Sequence, residues 1–342
     1  MSKRGAHFYS EELARVLSHY NVGVIHKIEP LPGGSKRAPK MIIISEQGKF
    51  LLKRRLRVKD DLLRVSFSHA VQSHLCAKTF PVAPLIPTAD GNSTILQLNN
   101  HIYEIFRFVI GSRYDGSAEA TIEAGRQLAR FHQDLADFTS KWEPAKSSFH
   151  DSATVRKHLK TIGADRGVEP DKKLRGTADM LTGLYNSSSV SVNELGFDSW
   201  QEQVVHGDWH PGNMLFSGRR LIALVDFDSV KLAPPVTDLA NGMLQFSIVG
   251  DRPNPTDWPD YLDQAKLVQF LNGYREIIKP DENKLSSLIS LMIETIIAEA
   301  VLPIAATGFF GNLGGLDFLK MIRRKAEWMN KNRTKLTEAM QG

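Results

Sequence analysis

Cysteine is nearly absent: Cys76 is the only one in 342 residues. An internal disulfide is therefore excluded, and a cysteine-built zinc site has no ligands to draw on. Long unbroken apolar runs are also missing. The most apolar stretch, "LSSLISLMIETIIAEAVLPIAATGFF", is interrupted by Glu294, Glu299 and Pro303. It falls short of about 18 uninterrupted apolar residues, which predicts a buried helix and no membrane partner. No run of Lys and Arg interleaves with aromatics, and the net charge of +5, from 43 basic and 38 acidic residues, is small. Nucleic acid is not an expected partner on that balance. The opening "MSKRGAHFYSEEL" lacks the apolar core of a signal peptide. These absences together predict a soluble protein of a reducing compartment, the cytoplasm.

What is present is ordinary for a globular protein: 42% hydrophobic and 24% charged residues. The length suits two lobes better than one core. Ser10 is placed to cap a first helix, with Glu11 and Glu12 in its first turn. Strand-like runs follow in "VGVIHKIEPL", "KMIIIS" and "KFLLKRRL", then a helix over about 60–78, then strands "STILQL" and "HIYEIFRFVI". This predicts a small, mainly antiparallel sheet over 1–110. After Gly111 the period becomes helical, with Ile122, Leu128, Phe131 and Leu135 on one face. Residues 111–342 are predicted to form a second, mainly helical lobe. The polar passage 166–191 reads as a mobile connection.

One stretch carries chemistry. "VVHGDWHPGNMLF", residues 204–216, sets His206, Asp208, His210 and Asn213 between apolar runs, and "LIALVDFDSV" follows it. A hairpin centred on residues 217–220 lays Met214 near Ala223. It brings Asn213 and Asp226 to one end of the ribbon, with Asp208 in the loop beside them. Asn213 and Asp226 supply the hard oxygen donors that Mg²⁺ takes. Asp208 is left to accept a proton from a hydroxyl. Metal plus base is the working set of phosphoryl transfer. Asp228 is expected to cap or orient, His206 to be structural, Asp238 to cap a helix or brace a loop, and His132 to sit in a core. A different reading uses the alternation of His206, Asp208 and His210. On a strand these would share a face and build a metal-dependent hydrolase site, but Pro211-Gly212 ends any such strand.

"HGDWHPGNMLF", "LVDFDSV" and "PPVTDLA" resemble the Brenner-type motif and its sequel in the aminoglycoside phosphotransferase and choline kinase superfamily. Within it the chain is most similar to bacterial small-molecule kinases of the type II homoserine kinase kind. The resemblance covers most of the chain and is weakest after about residue 245. It implies an α+β, two-lobed protein-kinase-like fold and transfer of the γ-phosphate of ATP to a hydroxyl of a small-molecule acceptor: an amino alcohol, a sugar or an antibiotic-like alcohol. It also implies a phosphate-binding lysine on a sheet strand, and Lys53 fits. A flexible loop should cover the phosphates, and "LPGGSKRAPK" offers Gly33, Gly34 and Ser35. It is not a Walker loop. The hinge should be "FRFVIG", where Arg107, Phe108 and Val109 offer backbone groups to adenine.

One departure stands out. The helix expected to provide a Glu partner for Lys53, in "RVSFSHAVQSHLCAKTF", has no acidic residue. Ser68, His69 or Gln72, or Asp60 or Asp61 from the helix start, are the expected substitutes. A catalytically degenerate nucleotide-binding module is the alternative this departure raises. Arg54 and Arg55 are expected to matter little.

Overall fold

The computed structural model describes residues 8–31, 39–56, 62–142, 148–162, 172–250 and 252–341. The expected phosphate loop, with Gly33, Gly34 and Ser35, lies outside the described residues, as do Asp60 and Asp61. In chain order the first elements are α1 (Ser10–Leu17), β1 (Ile25–Pro30), β2 (Lys40–Ser45), β3 (Gly48–Leu56), α2 (Leu62–Ala77), β4 (Leu85–Ile86), β5 (Leu96–Leu98) and β6 (His101–Arg107). Then come α3 (Ala118–Asp134), α4 (Ala153–Thr161), α5 (Lys172–Glu194), β7 (Gln203–Val205), β8 (Met214–Ser217), β9 (Arg220–Leu224) and β10 (Lys231–Ala233). The chain closes with α6 (Val236–Ser247), α7 (Gln264–Arg275), α8 (Glu282–Thr307), β11 (Phe309–Phe310), β12 (Leu313–Gly314), α9 (Gly315–Lys331) and α10 (Arg333–Gln341).

The chain divides into two compact units. The first holds residues 1–114, 134–145 and 213–230; the second holds 115–133, 146–212 and 231–342. In the first unit β1-β2-β3-β6-β4 form an antiparallel sheet, and β5 also pairs with β6. Alternation along β3 sorts its side chains. Phe50 and Leu52 join α1 residues Val16 and Leu17 in the core, with Ile43, Tyr103 and Ile105. Lys53 and Arg55 turn to the opposite face. The hairpin β8–β9 belongs to this unit. Its Gly218 takes φ 58°, which a Cβ would strain. A register irregularity between Leu215 and Phe216 sets Met214 opposite Leu224 and Leu215 opposite Ala223. The uniform register expected from sequence is thus off by one residue at Met214, because a bulge inserts between ladder pairs.

The second unit is helical apart from the pairs β7–β10 and β11–β12. Its centre is α8, the apolar stretch of the sequence. That helix is long and apolar enough to cross a membrane, yet 78% of its most apolar window is buried inside the protein. Helices α4, α5, α6 and α9 cover it. Of the passage expected as a mobile connection, 166–171 lies outside the described residues and the rest is helix, within α5 (Lys172–Glu194). Its buried stripe is built from Thr177, Ala178, Leu181, Tyr185, Ser188, Ser189 and Val192. The spacing is helical, but small polar side chains hide it from a hydrophobicity reading. Helices α3 and α7 approach so closely that glycine is required at the crossing. A Cβ on Gly125 would stand 2.0 Å from the Phe270 carbonyl oxygen, and one on Gly273 1.9 Å from that of Ile122.

Candidate active site

In the first unit a charged cluster lines the face of β3 that carries Lys53. Lys53 is 5% exposed, and its Nζ lies 3.0 and 2.9 Å from the two carboxylate oxygens of Asp228. It is 3.7 Å from Asp226 Oδ1. Arg55, two residues on and hence on the same face, also donates to Asp228 and binds Glu104 of β6, Nε to Oε2 at 2.5 Å. Glu104 in turn meets His69 of α2 at 2.6 Å. Burial raises the Glu104 carboxyl, but the Arg55 guanidinium, the His69 hydrogen bond and the Lys53 charge outweigh it and bring its pKa to about 2. Burial likewise opposes ionisation of Asp228, and Lys53 with Arg55 hold it well below the usual carboxylate range. Lys40, opposite Lys53 in the β2–β3 register, is lowered by burial and then by the Lys53 charge.

This cluster answers the missing helical Glu. The acid that pairs with Lys53 comes from Asp228, beyond the hairpin. The helix side contributes His69, which reaches Glu104 on a strand. Ser68 donates to the Phe227 carbonyl at 3.0 Å and Gln72 to Ser68 at 3.5 Å, so neither orients Lys53. Arg54 and Arg55, expected to matter little, both make ion pairs within the protein. Arg54, on the α1 side of the sheet, binds both Glu12 oxygens at 2.7 and 2.8 Å. The hydropathy pattern gave no sign of Glu104, which sits in an apolar strand.

The hairpin brings the expected metal donors close. Asn213, buried after the short helical turn Pro211–Asn213, accepts from the Val225 N–H at 2.9 Å through its carbonyl. Asp226 is thus the next residue along. Asp226 adopts φ 66° and ψ 71°, the left-handed region that a non-glycine residue occupies only at a cost. Its side chain is more than a third exposed, unlike those of Lys53 and Arg55. An accessible carboxylate on strained backbone, one residue from the Val225 that bonds the Asn213 carbonyl, together with the Asn213 amide oxygen is a donor set that fits a hard divalent cation. Where the hinge was expected, the Arg107 and Phe108 amides donate to the Pro84 and Lys49 carbonyls, both within 2.9 Å. Val109 has no backbone partner among the described residues.

In the second unit, helix α6 grips the loop that carries Asp208. Asp238 accepts from the His206 N–H at 2.6 Å and the Gly207 N–H at 2.8 Å. One turn later, Asn241 accepts from the Trp209 N–H at 2.9 Å. Trp209 and His206 are fully buried and pack edge-on against Phe131, at 5.6 and 6.0 Å between centroids. Asp208 is left half-exposed, 3.5 Å from His210 Nε2. Behind it, Glu299 of α8 accepts from Asn241 at 2.8 Å and Gln245 at 2.6 Å. Burial first, then the nearby Asp208 charge, raise the Glu299 carboxyl to about 7. His132 is buried as expected, 2.9 Å from the Tyr274 hydroxyl.

The alternation on which a His206–Asp208–His210 metal site depended does not survive. Gly207 takes φ 74°, so the segment is not a strand, and His206 turns into the aromatic core. Among the described residues no group of three or more His, Cys, Asp or Glu side chains is arranged to hold a metal.

Residues 27–277 match the phosphotransferase enzyme family. No curated protein matches the chain. Among solved structures, an aminoglycoside phosphotransferase from Alicyclobacillus acidocaldarius subsp. acidocaldarius DSM 446 superposes with a TM-score of 0.70 at 15% identity, covering 99% of this chain and 98% of that one. A microcompartment-associated aminopropanol kinase gives 0.70 at 13% identity, covering 94% and 97%. An amicoumacin kinase in complex with AMP-PNP and Ca²⁺ gives 0.67 at 11% identity, covering 97% and 94%. The fold shared with these is α+β and protein-kinase-like.

Proposed function

The chain belongs to the phosphotransferase enzyme family, and we propose that it transfers the γ-phosphate of ATP to a hydroxyl of a small molecule. The observation that carries this reading is the Lys53 ammonium seated on Asp228 beside the strained Asp226, just past the hairpin that follows Asn213. A buried lysine aligned at the exposed metal-donor carboxylate is what binding of a nucleotide triphosphate requires. In this reading Lys53 holds the α- and β-phosphates, and the 107–109 hinge with the Gly33-Gly34-Ser35 loop completes the nucleotide site. Asn213 and Asp226 would hold Mg²⁺, which neutralises phosphate charge when bound.

Asp208 is the base. It takes the proton of the acceptor hydroxyl as the acceptor oxygen forms a bond to Pγ. The bond from Pγ to the β,γ-bridging oxygen breaks, its electron pair leaves with ADP, and the proton passes on to solvent. The α6 brace suits that role, because fixing the backbone of 206–209 fixes where the Asp208 carboxylate points. The enzyme is soluble and cytoplasmic in this reading, with neither nucleic acid nor membrane as partner. The degenerate module loses its motive, since Asp228 orients Lys53 in place of a helical Glu. The test is ADP release from ATP·Mg over amino alcohols, sugars, hydroxy acids and aminoglycosides. Acceptor-dependent turnover is expected; nucleotide binding without turnover on any of them would favour the module.

A further inference from the structure

Helix α6 holds the loop that carries Asp208 at two points, and the two holds differ in kind. Asp238 is a carboxylate, so either of its oxygens accepts a backbone N–H. Asn241 holds the Trp209 N–H through an amide, and an amide has one accepting end and one donating end. Turned about, it would press its NH₂ against the Trp209 N–H, where Trp209 is fully buried and Asn241 is 5% exposed. Nothing in Asn241 itself prevents that turn, because its two ends have nearly the same shape.

Glu299 prevents it. Its Oε1 accepts from Asn241 Nδ2 at 2.8 Å and its Oε2 from Gln245 Nε2 at 2.6 Å. An ionised carboxylate only accepts, so it draws the NH₂ end of Asn241 to itself and leaves the carbonyl end for Trp209. The link runs from Glu299 through Asn241 to the Trp209 N–H, and Trp209 directly follows Asp208. Gln245 stands one turn beyond Asn241 on α6 and occupies the second oxygen, which fixes the carboxylate in turn. We infer that Glu299 is a positioning residue for phosphoryl transfer: it sorts the two ends of the Asn241 amide and so holds Asp208 where it meets the acceptor hydroxyl. An acid in the apolar run of α8 thereby has a task that packing does not give it. This inference rests on the phosphotransferase reading of Asp208.

The test uses the full chain at about pH 8, above the Glu299 titration near 7, so that the carboxylate is ionised. Turnover is read as ADP release on whichever acceptor of the panel above reacts. Glu299→Met should lower kcat by roughly 10–100-fold with the KM for ATP unchanged, the scale on which a small misplacement of a reacting group acts. Glu299→Gln should recover most of that loss, because its oxygen still takes the Asn241 NH₂ while Gln245 turns to accept its amide. Asn241→Ala should cost at least as much as Glu299→Met, and the double variant no more than Asn241→Ala alone. Amide-resolved hydrogen exchange gives a readout independent of turnover. The Trp209 N–H should exchange roughly tenfold faster or more in Glu299→Met, with the His206 and Gly207 amides held by Asp238 unchanged. Wild-type kcat in Glu299→Met, an equal loss in Glu299→Gln, losses that multiply in the double variant, or unchanged Trp209 exchange would overturn the inference. Glu299→Ala repeats each comparison if the methionine variant folds poorly. The two failures are separable. Turnover of no acceptor sinks the phosphotransferase reading, while faster Trp209 exchange in that case still establishes the hold of Glu299 on the loop.

Discussion

The Asp208 carboxylate stands half-exposed on a loop whose neighbours are pinned, and this isolates its chemistry from its fold. Asp208→Asn should therefore lower kcat by about 10²–10⁴-fold, the usual contribution of positioned proton transfer, with nucleotide affinity and melting temperature little changed. Wild-type turnover in that variant would exclude the base role. Asp226→Ala should abolish the Mg²⁺ dependence of nucleotide binding in a titration, and Asn213→Ala should weaken it less, since a neutral carbonyl brings no charge. Arg55 presents the opposite case. Its removal leaves Glu104, 1% exposed, as a buried carboxylate without its main counter-ion. Breaking such a pair costs about 3–5 kcal/mol, so Arg55→Met should depress the denaturant midpoint strongly. Lys53→Met should act mainly on the KM for ATP and on kcat.

Among the elements, the crossing of α3 and α7 leaves no room for a Cβ at Gly125 or Gly273. Helix propensity alone would favour alanine at Gly125 by up to about 1 kcal/mol. A Cβ there meets a backbone oxygen at 2.0 Å, and backbone cannot rotate away. Overpacking costs typically about 1–3 kcal/mol, so packing wins and Gly125→Ala should destabilise. Thermal unfolding of Gly125→Ala and Gly273→Ala checks this; a gain in stability for either would show that the helices part readily. Helix α5 differs from these. Its stripe mixes Leu181, Tyr185 and Val192 with small polar Thr177, Ser188 and Ser189, all buried where α5 meets α8.

For the molecule as a whole, two buried carboxyls set opposing pH trends. Glu104 titrates near 2 in the folded protein against an ordinary 4.5. The stability it contributes is fully present above about pH 4.5 and is lost as pH falls toward 2. Glu299 is shifted the other way, from 4.5 to about 7. The folded state binds the proton more tightly there, so stability declines as pH rises from about 4.5 to 7. Melting temperature across pH should thus carry an acid limb that Glu104→Gln flattens and a gentler decline toward neutrality that Glu299→Gln removes. An unchanged decline in Glu299→Gln would show that this carboxyl titrates normally.

The strands of the first unit other than β4, the burial of α8 and the grouping of Asn213 with Asp226 are determined by the sequence itself. Each depends on local information: period-two alternation, an apolar run broken by charges, a turn flanked by two short strands. The left-handed Gly207, which dissolves the histidine alternation, was beyond such patterns, because alternation assumes an extended backbone. The charged cluster was decided only by tertiary structure. Lys53 and Asp228 lie 175 residues apart in the chain. Arg55, Glu104 and His69 come from two strands and a helix. Polar residues in such pairs leave no periodic trace, since what selects each one is the charge that folding sets beside it.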